Sequence, residues 1–208
     1  VERSRGLGDV YKRQIDNSGN LWLFGGMNGN RWNDLWKFDV TLGQWAWISG
    51  SNTANAAGVY GTLGVANASN VPGARQNAQS WVDASGNLWL FGGMNGAYLN
   101  DLWKYDIAAN LWTWMGGPNT TGSVGVTGTL GVAAAANIPR SRYHSVGWTD
   151  SNNNFWLLGG NSSLGMMNDL WKYNVSTGQW TWMSGNPSSA SVNGCLLYTS
   201  DAADEGLG

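Results

Sequence analysis

The glycine pair at Gly25–Gly26 returns at Gly92–Gly93 and again at Gly159–Gly160, 67 residues apart each time. The same interval separates "GVYGTLGV" from Gly58 and "GVTGTLGV" from Gly125. "NDLWK" stands at Asn33–Lys37, Asn100–Lys104 and Asn168–Lys172, the last step one residue longer. A repeat this long constrains the fold more than any other property of the chain. Each unit is one supersecondary structure, and neighbouring units must cover its apolar faces.

Within the complete second unit the pattern predicts four strands, a to d, at Arg75–Val82, Asn87–Gly92, Asp101–Asp106 and Leu111–Met115. "DASGN" between a and b is a tight polar turn of the hairpin kind. "LWLF" is an unbroken apolar run, as expected of a strand buried on both faces. In "LWTWM", Trp112 and Trp114 lie two apart and project from the same face. Burying one large apolar side chain contributes roughly 1.5–3 kcal/mol, so stacked units can hold each other strongly. Radial stacking of such sheets gives a β-propeller. The prediction is an all-β fold of about three four-stranded antiparallel blades from a larger ring, whose missing blades are needed to close it.

Leu90-Phe91-Gly92-Gly93, Tyr105-Asp106 and Trp112, with counterparts in the other units, resemble the kelch repeat. Phe38 replaces the tyrosine in the first unit, and Asn174 replaces the aspartate in the third. The resemblance covers Ile15–Gly185 and implies a partial kelch-type propeller, related to the central domain of galactose oxidase. Kelch repeats run to roughly 50 residues; the excess here lies in long d-to-a connections at Gly50–Ala74 and Gly116–Ser141.

Because "NDLWK" recurs in every unit it is expected to be scaffold. Asn and Asp would bond backbone groups at the entry to strand c, Leu and Trp would face opposite neighbours, and Lys would cover aromatic surface.

Both ends depart from this composition. "VERSRGLGDVYKRQ" and "CLLYTSDAADEGLG" resemble translated sequencing-adapter DNA carrying a transposase mosaic end. The expected division is a tail at 1–14, a propeller segment at 15–194 and a tail at 195–208. Blade units would fall at about 15–66, 67–133 and 134–194. The segment 15–194 holds seven Lys or Arg, eight Asp and one His, with no Cys or Glu. With a formal charge of −2 and no basic stripe, nucleic acid is not an expected partner. No apolar run approaches the ~20 residues of a membrane helix.

Function is expected where the repeat breaks. In an antiparallel meander the b–c and d–a loops share one end, and the b–c loops "MNGNRWN", "MNGAYLN" and "NSSLGMMN" differ. They place Arg31, Trp32, Tyr98, Met166 and Met167 on one rim, to which the d–a loop adds Tyr60. The d–a loops could instead pack on each other through "GTLGV". Strand a is polar and would line a wet central channel with Arg75, Arg142, Tyr143 and His144. The kelch resemblance implies that this strand is innermost and that its leading arginine can meet an acidic partner. Capping loop carbonyls is the competing role for Arg75 and Arg142. His144 is the single histidine, so no catalytic or metal constellation is expected, and no cofactor. The copper set of galactose oxidase, with histidines and a cysteine-linked tyrosine, is not met in this segment. "DxSGN" is too short for a calcium loop and suits a β-turn.

The resulting expectation is a non-catalytic module that binds a protein or glycan through the loop-rich face. Two other readings stay open: the scaffold of a carbohydrate-active enzyme, an oxidase or sugar epimerase with active residues on missing blades, and a spacer without a ligand. The resemblance, with an Asn/Gly/Thr-rich and Lys-poor surface, points to a bacterial secreted or cell-surface setting.

Overall fold

The structure is a computed structural model that describes residues 14–188. The expected tails, apart from Gln14, and residues 189–194 lie outside the described residues.

Three four-stranded antiparallel meanders follow one another. The first blade holds β1 (Gln14–Ile15), β2 (Leu21–Met27), β3 (Arg31–Asp39) and β4 (Gln44–Ser49). The second holds β5 (Gln79–Val82), β6 (Leu88–Met94), β7 (Tyr98–Asp106) and β8 (Leu111–Gly116). The third holds β9 (Val146–Thr149), β10 (Asn154–Ser162), β11 (Gly165–Asn174) and β12 (Gln179–Ser184).

Each a–b turn is built by its aspartate. Asp83 accepts from the backbone N–H of Ser85 and Asn87, from the Asn87 amide and from the Trp89 indole. Asp16 and Asp150 repeat the arrangement with Trp22 and Trp156. This is the side-chain-to-backbone bonding that favours Asp and Asn in turns.

Alternation along the strands splits each blade's apolar residues between two interfaces. Leu88, Leu90, Trp103, Tyr105 and Trp112 of the second blade pack with Trp22 and Leu35 of the first. Trp81, Trp89, Phe91 and Leu102 pack with Phe155, Leu157, Trp171, Tyr173 and Trp180 of the third. Leu102 and Trp103 of "NDLWK" therefore serve opposite neighbours. Lys172 sets its ammonium 5.9 Å from the centroid of the Trp156 ring, a cation–π contact.

The glycine pair is where one blade meets the next. Gly92 and Gly93 both have positive φ, and the β6–β7 register shifts there. The Gly93 N–H donates to the Arg142 carbonyl at 2.8 Å, and a Cβ on Gly92 would stand 2.7 Å from that oxygen. The Gly26 N–H donates to the Arg75 carbonyl in the same way at 3.0 Å. Backbone approach this close excludes a side chain, so the glycines belong to blade stacking.

Two expectations are corrected. Strand a was predicted from Arg75, but β5 begins at Gln79. Gln76 makes one isolated bridge to Met94, and Asn77 then turns left-handed at φ 52°. His144 does the same in the third blade at φ 57°, a conformation in which Asn and His are enriched. Among the described residues no backbone hydrogen bond joins the two "GTLGV" segments to each other. Each crosses to the outer edge of the following blade. The Gly64 and Asn67 N–H groups donate to the carbonyls of Trp114 and Trp112 on β8, and Gly131 and Ala134 serve Trp182 and Trp180 on β12. An open strand edge is a template for unwanted pairing, and these straps cover it.

Candidate functional site

The loop-rich end is assembled on a buried ion pair. Arg75 and Asp101 meet through two parallel bonds of 2.7 Å, and Arg142 and Asp169 through two of 2.6 Å. The remaining guanidinium donors are also used: Arg75 Nε donates to the Gly73 carbonyl and Nη1 to the Gly92 carbonyl. Arg142 repeats this with Arg140 and Gly159. Both arginines are 1% exposed. Of the two roles open to them, carbonyl capping is the one observed. The bidentate geometry is the strong form of charge-assisted bonding.

Asp101 also accepts the Trp103 indole and the Tyr60 hydroxyl, each at 2.7 Å. Burial alone would raise its carboxyl, but Arg75 and these donors hold it below the ordinary carboxylate range. Tyr60 is pushed well above its ordinary value by burial and by the Asp101 charge. Its ring lies 4.9 Å from Trp103 and 5.2 Å from Trp114. Tyr60 therefore anchors the first d–a loop as well as walling the space beside it. The asparagine of "NDLWK" ties down the loop's ends: Asn33 donates to the Pro72 carbonyl and accepts from the Ser51 N–H. These asparagines and aspartates lie within the strands rather than in a preceding turn.

Above this base a cleft of about 350 Å3 opens between the first d–a loop and the loops of the second blade. Ala56, Ala57, Gly58, Gly73 and Ala74 form one wall, and Tyr60 and Leu99 contribute apolar surface. Asn55, Asn95, Asn119 and Thr121 supply the polar groups. The volume lies within the range of small-ligand sites, roughly 300–1,000 Å3.

The other expected residues are distributed around this end. Arg31 abuts the cleft through its backbone, which exchanges bonds with Asn55. Trp32 is half-buried and donates its indole N–H to Asn28. Its counterparts in the repeat, Leu99 and Met167, are buried, so that station is largely packing. Tyr98 is half-buried, 5.6 Å from the Tyr143 ring, and Tyr143 meets His144 edge-on at 4.7 Å. His144 is exposed on the inner edge of its blade, where its N–H donates to the Asn77 carbonyl of the preceding one. Met166 is exposed. The structure brings Tyr98, Tyr143 and His144 together, and Tyr60 and Arg75 line the cleft. Asn55, Asn95, Asn119 and Thr121 were not anticipated. The available signal was that Asn55 differs from its repeat partner Gly122, and Thr121 from Ala54 and Ser188.

Residues 85–113, from the second a–b turn into β8, match the Kelch motif family. The solved structure of YjhT is similar in fold, with 13% identity and a TM-score of 0.55, over 86% of this chain and 52% of that one. A fungal alcohol oxidase of the AA5 family, in complex with copper, gives 17% identity and a TM-score of 0.47, over 81% of this chain and 29% of that one. The chain thus spans about half the length of the first and under a third of the second. No curated protein matches its sequence. Motif and fold together define the class: a partial kelch-repeat β-propeller.

Copper does not fit the residues present. Among the described residues no group of three His, Cys, Asp or Glu side chains is placed to hold a metal, and His144 is the sole histidine. No helix among them is long and apolar enough to cross a membrane.

Proposed function

We propose that this segment is a non-catalytic binding module that takes a protein or glycan on the face formed by its b–c and d–a loops. The observation that carries the reading is the cleft. It is walled by a loop from one blade and two from the next, and two of its four rim polar residues, Asn55 and Thr121, break the repeat. Scaffold residues recur because every blade needs them, whereas a recognition surface is free to differ. Small walls, one aromatic ring and neutral amides suit a ligand held by stacking and hydrogen bonds. An extracytoplasmic bacterial setting belongs to the same proposal.

Glycan and peptide arrays probed with the labelled chain test it. Binding should be weakened by Tyr98→Ala and by the double variant Asn119→Ala/Thr121→Ala, with the melting temperature nearly unchanged. Substitutions at the opposite turns, such as Asn17→Ala or Ser85→Ala, should leave it intact. Binding abolished only by the turn variants would place the ligand on the other end, and silent arrays would favour a spacer.

A further inference from the structure

The strap that crosses to the next blade is built the same way twice. Residues 61–70 read "GTLGVANASN" and residues 128–137 read "GTLGVAAAAN". The first folds into two successive turns, closed by the Val65 N–H on the Thr62 carbonyl and the Asn70 N–H on the Asn67 carbonyl. Val132 and Asn137 repeat both bonds on Thr129 and Ala134. The Asn70 amide donates to the Val65 carbonyl within the strap and to the Trp112 carbonyl of β8. Asn137 does the same with Val132 and with Trp180 of β12. Gly61 turns left-handed, and a Cβ there would collide with Asn70 Oδ1. The strap therefore carries its own conformation, and it offers the strand edge two backbone N–H groups and one amide.

β4 presents the same edge without a strap. Trp45 and Trp47 hold the stations of Trp112 and Trp114, and they pair with Phe38 and Trp36 as those pair with Tyr105 and Trp103. Their carbonyls therefore face outward, as do the two carbonyls that receive a strap on β8. Among the described residues no strap donor reaches them. Trp45 and Trp47 are 49% and 51% exposed, whereas Trp112 and Trp180 are 3% and 4% exposed. An open edge with aligned acceptors is a template for another polypeptide.

We propose that the outer edge of β4 docks a segment of the strap type, Gly-Thr-Leu-Gly-Val with an asparagine five residues on, supplied by a second polypeptide. Both straps of this chain are engaged on β8 and β12, and its sequence holds no third "GTLGV". The site lies on the outer edge of a blade rather than among its end loops, so it stands apart from the loop-face reading. Its sequence requirement follows from the geometry. Glycine is needed at the stations of Gly61 and Gly64, both at positive φ, and asparagine is needed to tie strap to edge. Leu63 is half-exposed in its strap and carries no such requirement.

A labelled, end-capped peptide of residues 58–73, GVYGTLGVANASNVPG, titrated with the chain and followed by fluorescence anisotropy, tests this. It should bind saturably. The peptide with Asn70→Ala should bind about tenfold or more weakly, the scale of the two hydrogen bonds removed. Gly61→Ala should also weaken it, and Leu63→Ala should not. In the chain Tyr60 packs on Trp103 and Trp114, so the peptide's tyrosine should reach Trp36 and Trp47. Fluorine NMR of the chain carrying 5-fluorotryptophan, assigned by Trp→Phe variants, should show those two resonances shifting. Equal binding of the Asn70→Ala peptide, shifts confined to other tryptophans, or no binding at millimolar peptide overturns the inference. Sedimentation of the chain alone supplies a further check. Pairing of chains that buries Trp47 and that the peptide does not disperse would give this side to a second copy, and would overturn it as well.

Discussion

The first and second blades spell β2 and β6 with the same seven letters, "LWLFGGM", yet the two sheets live in different surroundings. Trp103 of the second blade is fully buried, while its counterpart Trp36 is half-buried. Trp112 is 3% exposed, and Trp45, at the same station of the first blade, is 49% exposed. The outer edge of β8 is covered by the Gly64–Asn70 strap, and among the described residues nothing bonds to the outer edge of β4. Burial in a propeller is thus conferred by the neighbour, and identical words acquire different energetic weight. The third blade shows the complementary open face, with Val146, Trp148 and Leu158 exposed. That face carries the stations that Trp81 and Phe91 occupy inside the second interface, so the two open sides have complementary halves of one contact.

The largest expected effect breaks this comparison most directly. Trp103→Ala should destabilise by about 3–5 kcal/mol, because it empties a filled site. Trp36→Ala, whose ring is already partly exposed, should cost distinctly less. Urea unfolding of the two variants gives the difference. Equal costs would mean that the open face of the first blade is covered in solution, by self-association or by further blades.

Acid should act next, through the carboxylates that the fold stabilises in charged form. Asp101 is lowered although burial opposes it, because Arg75, Trp103 and Tyr60 satisfy the anion. Asp150 is lowered to about 2, chiefly by the Trp156 indole and then by bonds from Asn154 and Asn152. Asp16 and Asp39 are lowered as well. Folded values below the unfolded value give stability that is complete above about pH 4 and is lost as pH falls through the folded values. The melting temperature should therefore hold from pH 7 to about 5 and drop steeply between about 4 and 2. Asp150→Asn should remove the part of that drop near pH 2 and leave the Asp101 contribution, which lies inside a blade interface. A transition centred near pH 6 would overturn the assignment to these carboxylates.

Periodic words made the blades legible: the glycine pairs, "LWLF" and "NDLWK" located the strands and assigned their two faces. What stayed hidden depends on partners far apart in the chain. Arg75 and Asp101 are 26 residues apart and looked like a channel residue and a turn residue, since neither spacing nor type announces a bidentate pair. Nor does anything local in "GTLGVANASN" show that Asn67 will bridge to Trp112 of the next blade. The left-handed turn at Asn77, which shortens strand a, leaves only the weak signal of an asparagine inside an expected strand. The rim of the cleft was partly legible as repeat-breaking positions, but its volume required the loops to be placed.

The smallest expected effect separates two copies of one asparagine. Asn33 uses both ends of its amide, donating to Pro72 and accepting from the Ser51 N–H. Asn168 likewise accepts from the Asn186 N–H. Asn100 donates to the Pro139 carbonyl, but its own oxygen is buried without a partner. The cause is in the sequence: the residue at the station of Ser51 and near that of Asn186 is Pro118, which has no N–H to give. Truncating Asn33 therefore breaks two bonds and truncating Asn100 only one, with an orphaned acceptor removed at the same time. Asn33→Ala should cost about 1 kcal/mol more than Asn100→Ala in denaturant unfolding, the net worth of one hydrogen bond. Pro118→Ser should narrow the gap by giving Asn100 its missing donor. If the order is reversed, the fully covered surroundings of the second blade outweigh a hydrogen bond, and burial alone decides the value of each repeat position.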